Sequence, residues 1–113
     1  MEIIEREAPG VVIAELKITA PARGQYDALQ QLVRERMAAG SRYFVFNLSG
    51  CAWIDSSGLG ELIKALVHVM RQGGNLKLAA VPHKVKGILA VTNLTQVFEI
   101  YESEVEAIAS FAH

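Results

Sequence analysis

Apolar residues recur along the chain at two spacings, one typical of strands and one typical of helices. Short segments with continuous or alternating hydrophobicity predict β-strands. These segments are Val11–Ile18 and residues 43–48, 75–81 and 97–101, and the weaker pair Ile3-Ile4 precedes the first of them. The Pro9-Gly10 turn between Ile3-Ile4 and Val11–Ile18 predicts a hairpin at the edge of the sheet.

Four other segments have apolar residues at helical spacing. They are residues 25–39, residues 57–72, a short stretch after Pro82, and a terminal stretch that begins with the capping pattern Ser103-x-x-Glu106. Glycines follow the first two segments, as expected at helix ends. In the second helix the predicted apolar stripe is Leu59, Leu62, Ile63, Leu66, Val67, Val69 and Met70, and the predicted outer face is Ser57, Glu61, Lys64, His68 and Arg71.

Finer expectations concern the segments that flank these elements. We expect Ser49-Gly50 to form a turn after a central strand, and Trp53 and Ile54 to pack beneath the loop that follows. The terminal helix is expected to bury Val105, Ile108, Ala109 and Phe111.

The order β-β-α-β-α-β-α-β-α predicts an α/β fold with a mixed sheet of about five strands and helices packed on it. A chain of 113 residues fits a single domain, residues 1–113, and 51% hydrophobic residues with 20% charged residues predict a packed core.

Charge and composition narrow the classes of partner. The formal net charge of −1 gives no overall field that would attract nucleic acid or anionic lipid. The single Cys51 cannot form an internal disulfide, and we expect it to be a small buried residue. Neither a signal peptide nor an apolar run of about 20 residues is present, so we expect a soluble cytoplasmic protein without membrane contact.

The stretch Ile54-Asp55-Ser56-Ser57-Gly58-Leu59-Gly60 is the candidate site. It lies where an apolar strand ends and a long helix begins, and helix N-termini favour phosphate through unpaired N–H groups and the helix dipole. A hydroxyl there could carry a phosphate. However, Ser and Asp are also the preferred N-cap residues of ordinary helices, so the residues alone leave capping as an alternative.

Catalysis and metal binding are not expected. A serine nucleophile needs a Gly-x-Ser-x-Gly elbow and a nearby base, yet no glycine stands at the required position, and the candidate bases are His68, His83 and His113. His68 lies more than two helical turns from Ser57. One Cys and three scattered His give no metal-ligand spacing, so neither a metal nor another cofactor is expected.

The chain resembles a STAS domain, the sulphate transporter and anti-sigma factor antagonist fold, in its small stand-alone bacterial form. The resemblance covers residues 10–110 and rests on Asn47-Leu48, the string Ile54 to Gly60, Gly73-Gly74 and the pattern Val85…Ile88-Leu89…Leu94…Phe98-Glu99-Ile100. It implies an anti-sigma factor antagonist that acts by partner switching and is not an enzyme. When unphosphorylated, such a protein binds an anti-sigma serine kinase of the GHKL type, and it releases the kinase when phosphorylated; a PP2C-type phosphatase resets it.

Carried over to this sequence, the resemblance implies that Ser56 is the phosphorylation site. The implied partner-binding residues are Asp55, Ser56, Ser57, Gly58, Leu59 and Glu61, in a protein that is a monomer or weak dimer without direct nucleic-acid contact. One stretch departs from the family: antagonists usually carry a Gly-x-Leu/Ile-Asp-like turn before the first helix, whereas this chain has Thr19-Ala20-Pro21-Ala22.

The alternative is an unphosphorylated STAS scaffold or binding subunit of a signalling or transport complex. In that case Ser56 serves only as an N-cap, and a large apolar patch should be exposed for the neighbouring subunits.

Overall fold

Five strands form one mixed sheet in the order β1-β2-β3-β4-β5 in this computed structural model, which describes residues 1–112. The strands are β1 (Glu2–Ala8), β2 (Val11–Ile18), β3 (Tyr43–Cys51), β4 (Asn75–Ala79) and β5 (Ile100–Tyr101). The helices are α1 (Asp27–Ala38), α2 (Ser56–Arg71), α3 (His83–Val91) and α4 (Glu104–Ala109), and a 3-10 turn covers Leu94–Gln96. β1 is antiparallel to β2 and the other neighbours are parallel. The predicted mixed α/β fold is confirmed.

The main core lies on one face of the sheet, beneath α1, α2 and α3. Alternate residues of the central strands point into it, because successive side chains of a strand face opposite sides. These strand residues include Val12, Ala14, Leu16, Phe44, Phe46 and Leu48, and they meet Leu29, Leu62 and Leu89 of the three helices. The helices thus bring the start of α1 next to the start of α2.

Among residues 1–112 the opposite face is covered by the short helix α4, which is attached through a small apolar cluster around Ala107 and through polar contacts. Two Arg6 nitrogens donate to the Glu104 carboxylate at 2.7 and 2.6 Å, and Asn47 Nδ2 donates to the same carboxylate at 2.6 Å. The hydrogen bonds from Arg6, reinforced by Asn47 and opposed by partial burial, hold the pKa of Glu104 below its ordinary value. Ala107 is the fully buried apolar residue of α4, and this charge network adds to its packing against the sheet.

Only β2 keeps its predicted bounds: β1 is longer than Ile3-Ile4, β4 ends at Ala79, and β3 and β5 differ for structural reasons. β3 does not turn at Ser49-Gly50 but continues to Cys51 beside β2, where the pairing register shifts between Glu15 and Lys17. A side chain at Gly50 would have its Cβ 2.8 Å from the Leu16 carbonyl oxygen, so glycine permits this close pairing. At the other edge, β5 is only Ile100–Tyr101, because the 3-10 turn precedes it.

Several predicted burial assignments were wrong. Val67 and Met70 of α2 are 38% and 55% exposed, because the neighbouring elements cover only part of the predicted stripe. In the terminal helix Val105 and Ala109 face solvent, whereas Ile108 and Phe111 are partly buried and pack with Ala107 against the sheet. Ile54 is buried as expected, whereas Trp53 is only half-buried.

The prediction that Cys51 is buried is confirmed, and burial raises the pKa of its thiol to about 11. Within residues 1–112, no helix combines the length and apolar character needed to cross a membrane.

Candidate functional site

Asp55, and not a serine, caps α2. Asp55 has an extended backbone, and its Oδ1 accepts a hydrogen bond from the Gly58 N–H at 2.9 Å, as an N-cap side chain does. Ser56 is therefore the first helical residue, and it is exposed. The alternative in which Ser56 is the capping residue was wrong, so the Ser56 hydroxyl is not required to begin the helix.

Asp55, Ser56 and Ser57 form an exposed corner at the start of α2, which we call the Ser56 corner. This corner favours negative charge. α2 has 16 residues, so its N-terminus carries the full partial positive charge of a long helix. Asp55 satisfies the N–H of Gly58, while the N–H groups at Ser56 and Ser57 precede the first intrahelical hydrogen bonds. An anionic group on Ser56 would therefore lie next to backbone donors.

Gly58 and Leu59 form the underside of this corner. A Cβ on Gly58 would lie 2.7 Å from Ile54 Cγ1 and 3.1 Å from Tyr26 Cζ, and the Tyr26 hydroxyl is nearer still. Leu59 is buried in the main core. The structure thus separates the predicted binding residues: Gly58 and Leu59 face inward, whereas Asp55, Ser56 and Ser57 face outward.

Tyr26, the residue that precedes α1, closes the underside of this corner. It is 7% exposed, and its buried hydroxyl has no hydrogen-bond partner among residues 1–112. Burial, with a smaller contribution from the Asp55 carboxylate, raises its pKa to about 12, so the ring stays neutral at physiological pH. Tyr26 lies within the predicted helical segment 25–39, but its contact with the glycine of the motif depends on how α1 packs against α2.

An open cavity of about 700 Å³ lies between this corner and the segment that leads into α1. Three carboxylates and one guanidinium line it, belonging to Asp27, Asp55, Glu61 and Arg23. Asp27 was not among the predicted site residues. Although Thr19-Ala20-Pro21-Ala22 lacks an acid, Asp27 places one in the same cavity from the first turn of α1.

Gln30 fixes α1 against α2 at the rim of the cavity. Its Nε2 donates to the Glu61 carbonyl oxygen at 2.9 Å and to Glu61 Oε2 at 3.1 Å. Gln30 is buried, so these hydrogen bonds are protected from water and hold the Glu61 side chain in place. A buried glutamine among apolar positions gives no sequence signal for such a role.

The residues that a serine–histidine catalytic pair or a metal site would need are far apart in the structure. Ser57 and His68 lie 11 residues apart on α2, a rise of about 16 Å, which no hydrogen bond can cross. His83 begins α3, and His113 lies outside the described residues. Within residues 1–112, no cluster of three or more His, Cys, Asp or Glu side chains has a metal-binding arrangement.

Comparison with known proteins identifies the family. The family model for the STAS domain matches residues 23–107. A STAS-domain containing protein of Pseudomonas aeruginosa strain UCBPP-PA14 is 33% identical over 88 residues, which cover 76% of this chain and 87% of that relative.

Solved structures share the fold over nearly the whole chain. A Thermotoga maritima protein assigned provisionally to the anti-sigma factor antagonists has 26% identity and a TM-score of 0.81, with 96% of this chain and 92% of that chain covered. The anti-sigma factor antagonist SpoIIAA in its unphosphorylated form has 15% identity and a TM-score of 0.81, with 97% and 96% covered.

Proposed function

The chain belongs to the STAS domain family, and on that premise we propose that it is an anti-sigma factor antagonist switched by phosphorylation of Ser56. In its unphosphorylated form it binds an anti-sigma serine kinase of the GHKL type, which frees the sigma factor. Phosphorylation of Ser56 releases the kinase, and a PP2C-type phosphatase restores binding. The protein itself is a binding module and not an enzyme, and it acts in the cytoplasm as a monomer or weak dimer.

The observation that carries the proposal is that Asp55 caps α2 while the Ser56 side chain is exposed. Because Asp55 supplies the cap of α2, the Ser56 hydroxyl has no structural task and is open to solvent. A phosphoryl group can therefore be added to Ser56 without removing a hydrogen bond that holds the fold. The helix N-terminus partly offsets the added charge.

The switch itself follows from charge at the cavity. A phosphate adds about −1.5 to −2 charge and three acceptor oxygens. The surrounding residues already include the carboxylates of Asp27, Asp55 and Glu61, so the phosphorylated corner becomes strongly negative. A partner surface shaped for a neutral hydroxyl then meets both a bulkier group and a repulsive field, and a differential of a few kcal/mol changes occupancy almost completely.

The partner contact is made by the outward-facing residues. Asp55, Ser56 and Ser57 are exposed, and the half-buried Glu61 is oriented by Gln30 at the cavity rim. Gly58 and Leu59 contribute indirectly, because they hold the corner against Tyr26 and the core. SpoIIAA, which shares the fold and is described in an unphosphorylated form, supports phosphorylation as the regulating modification.

The scaffold alternative has less support from the surface. It requires a large apolar patch, but the exposed large apolar side chains are spread over separate elements. They are Ile4 on β1, Tyr43 on β3, the pair Val67 and Met70 on α2, Val91 on α3, Val97 after the 3-10 turn and Val105 on α4.

The test is partner binding by serine variants. Ser56→Asp should abolish binding of the host's GHKL-type kinase, measured by titration calorimetry, while the thermal midpoint stays within a few degrees of wild type. Thr95→Asp is the control, since it adds a carboxylate at an exposed position on the 3-10 turn, away from the site, and it should bind like wild type. Unchanged affinity in Ser56→Asp would refute the proposal.

A further inference from the structure

A groove between α1 and α2 lies beside the Ser56 corner and has a different character. It has a volume of about 420 Å³, and its lining includes Arg34, Gly60, Ile63, Lys64, Val67 and Arg71, which together we name the basic groove. Gly60 lines both this groove and the cavity at Ser56. The two concave surfaces are therefore continuous over the first turns of α2.

The basic groove concentrates positive charge that is not paired with carboxylates among residues 1–112. Arg34, Lys64 and Arg71 are exposed, and none of them forms an ion pair with a carboxylate of residues 1–112. No acidic residue lines the groove. Because the chain as a whole has a net charge of −1, these three cations stand out against an otherwise acidic molecule.

Apolar side chains accompany these cations. Ile63 and Val67 line the groove, and Val67 is 38% exposed. Met70, 55% exposed, continues the same row, since residues 63, 67 and 70 recur at the i, i+4, i+7 spacing of one helix face. A row of this kind with flanking charges fits the apolar face and charged flanks of an amphipathic helix.

We propose that the basic groove binds an acidic amphipathic helix of a protein partner. The groove follows α2 from Gly60 to Arg71, a rise of about 16 Å or three helical turns. The partner's carboxylates would meet Arg34, Lys64 and Arg71, and its apolar residues would cover Val67 and Met70. The proposal rests on the proposed function, because a partner bound at Ser56 can extend over Gly60, which lines both surfaces, into the groove.

A protein helix fits the groove better than nucleic acid does. Nucleic-acid sites depend on many phosphate contacts and on a basic surface, whereas this groove offers three exposed cations in a net-negative molecule. The exposed Val67 and Met70 also have no use in phosphate binding, but an amphipathic helix would bury both.

The test is an NMR titration of the labelled protein with a synthetic helical peptide. The peptide has about 20 residues, with Leu at heptad positions a and d and Glu at e and g, and a matched peptide carries Lys in place of Glu. The Glu peptide should shift the amide resonances of α1 and α2. The Lys peptide should bind at least about tenfold more weakly than the Glu peptide.

Charge-reversal variants localise the contact. Lys64→Glu should weaken the Glu peptide by roughly tenfold, whereas Lys84→Glu, an equal change on the exposed side of α3, should not. Equal effects of the two variants, equal binding of both peptides, or tighter binding of a single-stranded oligonucleotide or of phosphatidylglycerol vesicles at the same amides would overturn the proposal.

The outcome is separable from the Ser56 switch. The Ser56→Asp variant should retain most of its affinity for the Glu peptide, because the peptide occupies only the groove. Loss of kinase binding without loss of peptide binding in that variant would support both proposals, and peptide binding without any effect of Ser56→Asp on the kinase would remove the switch alone.

Discussion

The glycine of the Asp-Ser-Ser-Gly motif is required by packing beneath the site, and this makes Gly58→Ala a sharp test of the corner's geometry. Gly58 is helical and has no positive φ, so backbone strain does not explain it. Alanine in place of a helical glycine ordinarily stabilises by about 1 kcal/mol. Here the new methyl group would lie 2.7 Å from Ile54 Cγ1 and closer still to the Tyr26 hydroxyl.

We expect the clash to outweigh the gain in helix propensity. Overpacking costs about 1–3 kcal/mol. We expect the upper part of that range, about 2–3 kcal/mol, because the cap from Asp55 and the buried Ile54 leave the start of α2 little room to shift. The net loss should be about 1–2 kcal/mol, or roughly 4–8 °C in the thermal midpoint of a domain of this size. Gly60→Ala is the matched control, because nothing lies within 4 Å of its Cβ position, and it should be stabilised by about 0.5–1 kcal/mol.

Tyr26→Phe identifies the clashing atom. Its hydroxyl is buried and unpartnered within residues 1–112, so removing it should cost little. In the Tyr26→Phe/Gly58→Ala double variant, the penalty of the alanine should fall by about 1 kcal/mol. The assay is urea denaturation followed by circular dichroism. Additive effects of the two changes, or Gly58→Ala as stable as Gly60→Ala, would refute this reasoning.

Two further predictions concern the cap and the second face of the sheet. Asp55→Ala should destabilise by about 1 kcal/mol while Asp55→Asn retains most of the cap, and a cost of the same size for Ser56→Ala in thermal melts would show that Ser56 has a capping role after all. The lowered pKa of Glu104 means that its stabilising contribution is present above its ordinary pKa of 4.5 and is lost as pH falls through the lower folded value. Urea denaturation at several pH values measures the difference in stability between wild type and Glu104→Gln. This difference should be constant above about pH 5 and should disappear at lower pH. A difference that persists in acid would contradict the role given to the Arg6 contact.

The elements with strong periodicity were predicted well. β2 has the predicted bounds, and α2 begins and ends within one residue of expectation, because its apolar spacing and the glycines after it are clear. The predicted turn at Ser49-Gly50 was wrong. These residues usually mark turns, but the shifted register against β2 allows the strand to continue through them. The predicted burial of Val67 and Met70 was wrong, because periodicity gives the direction of an apolar stripe and not how much of its width the neighbouring elements cover.

The candidate site was only partly visible in the sequence. The string from Asp55 to Gly58 pointed to a helix start, but whether Asp55 or Ser56 caps the helix depends on backbone geometry that spacing does not fix. Tyr26, Asp27 and Gln30 join the site from α1, about 30 residues earlier in the chain. Their roles follow from the packing of two helices, which no local pattern contains.

The central claim is tested most directly by mapping phosphate on the protein isolated from its native cells and on protein incubated with ATP and the host's GHKL-type kinase. The account predicts a mass increase of one phosphoryl group, assigned by fragmentation to Ser56, present in wild type and Ser57→Ala and absent in Ser56→Ala. Phosphate on Ser57, or none under either condition, would contradict it.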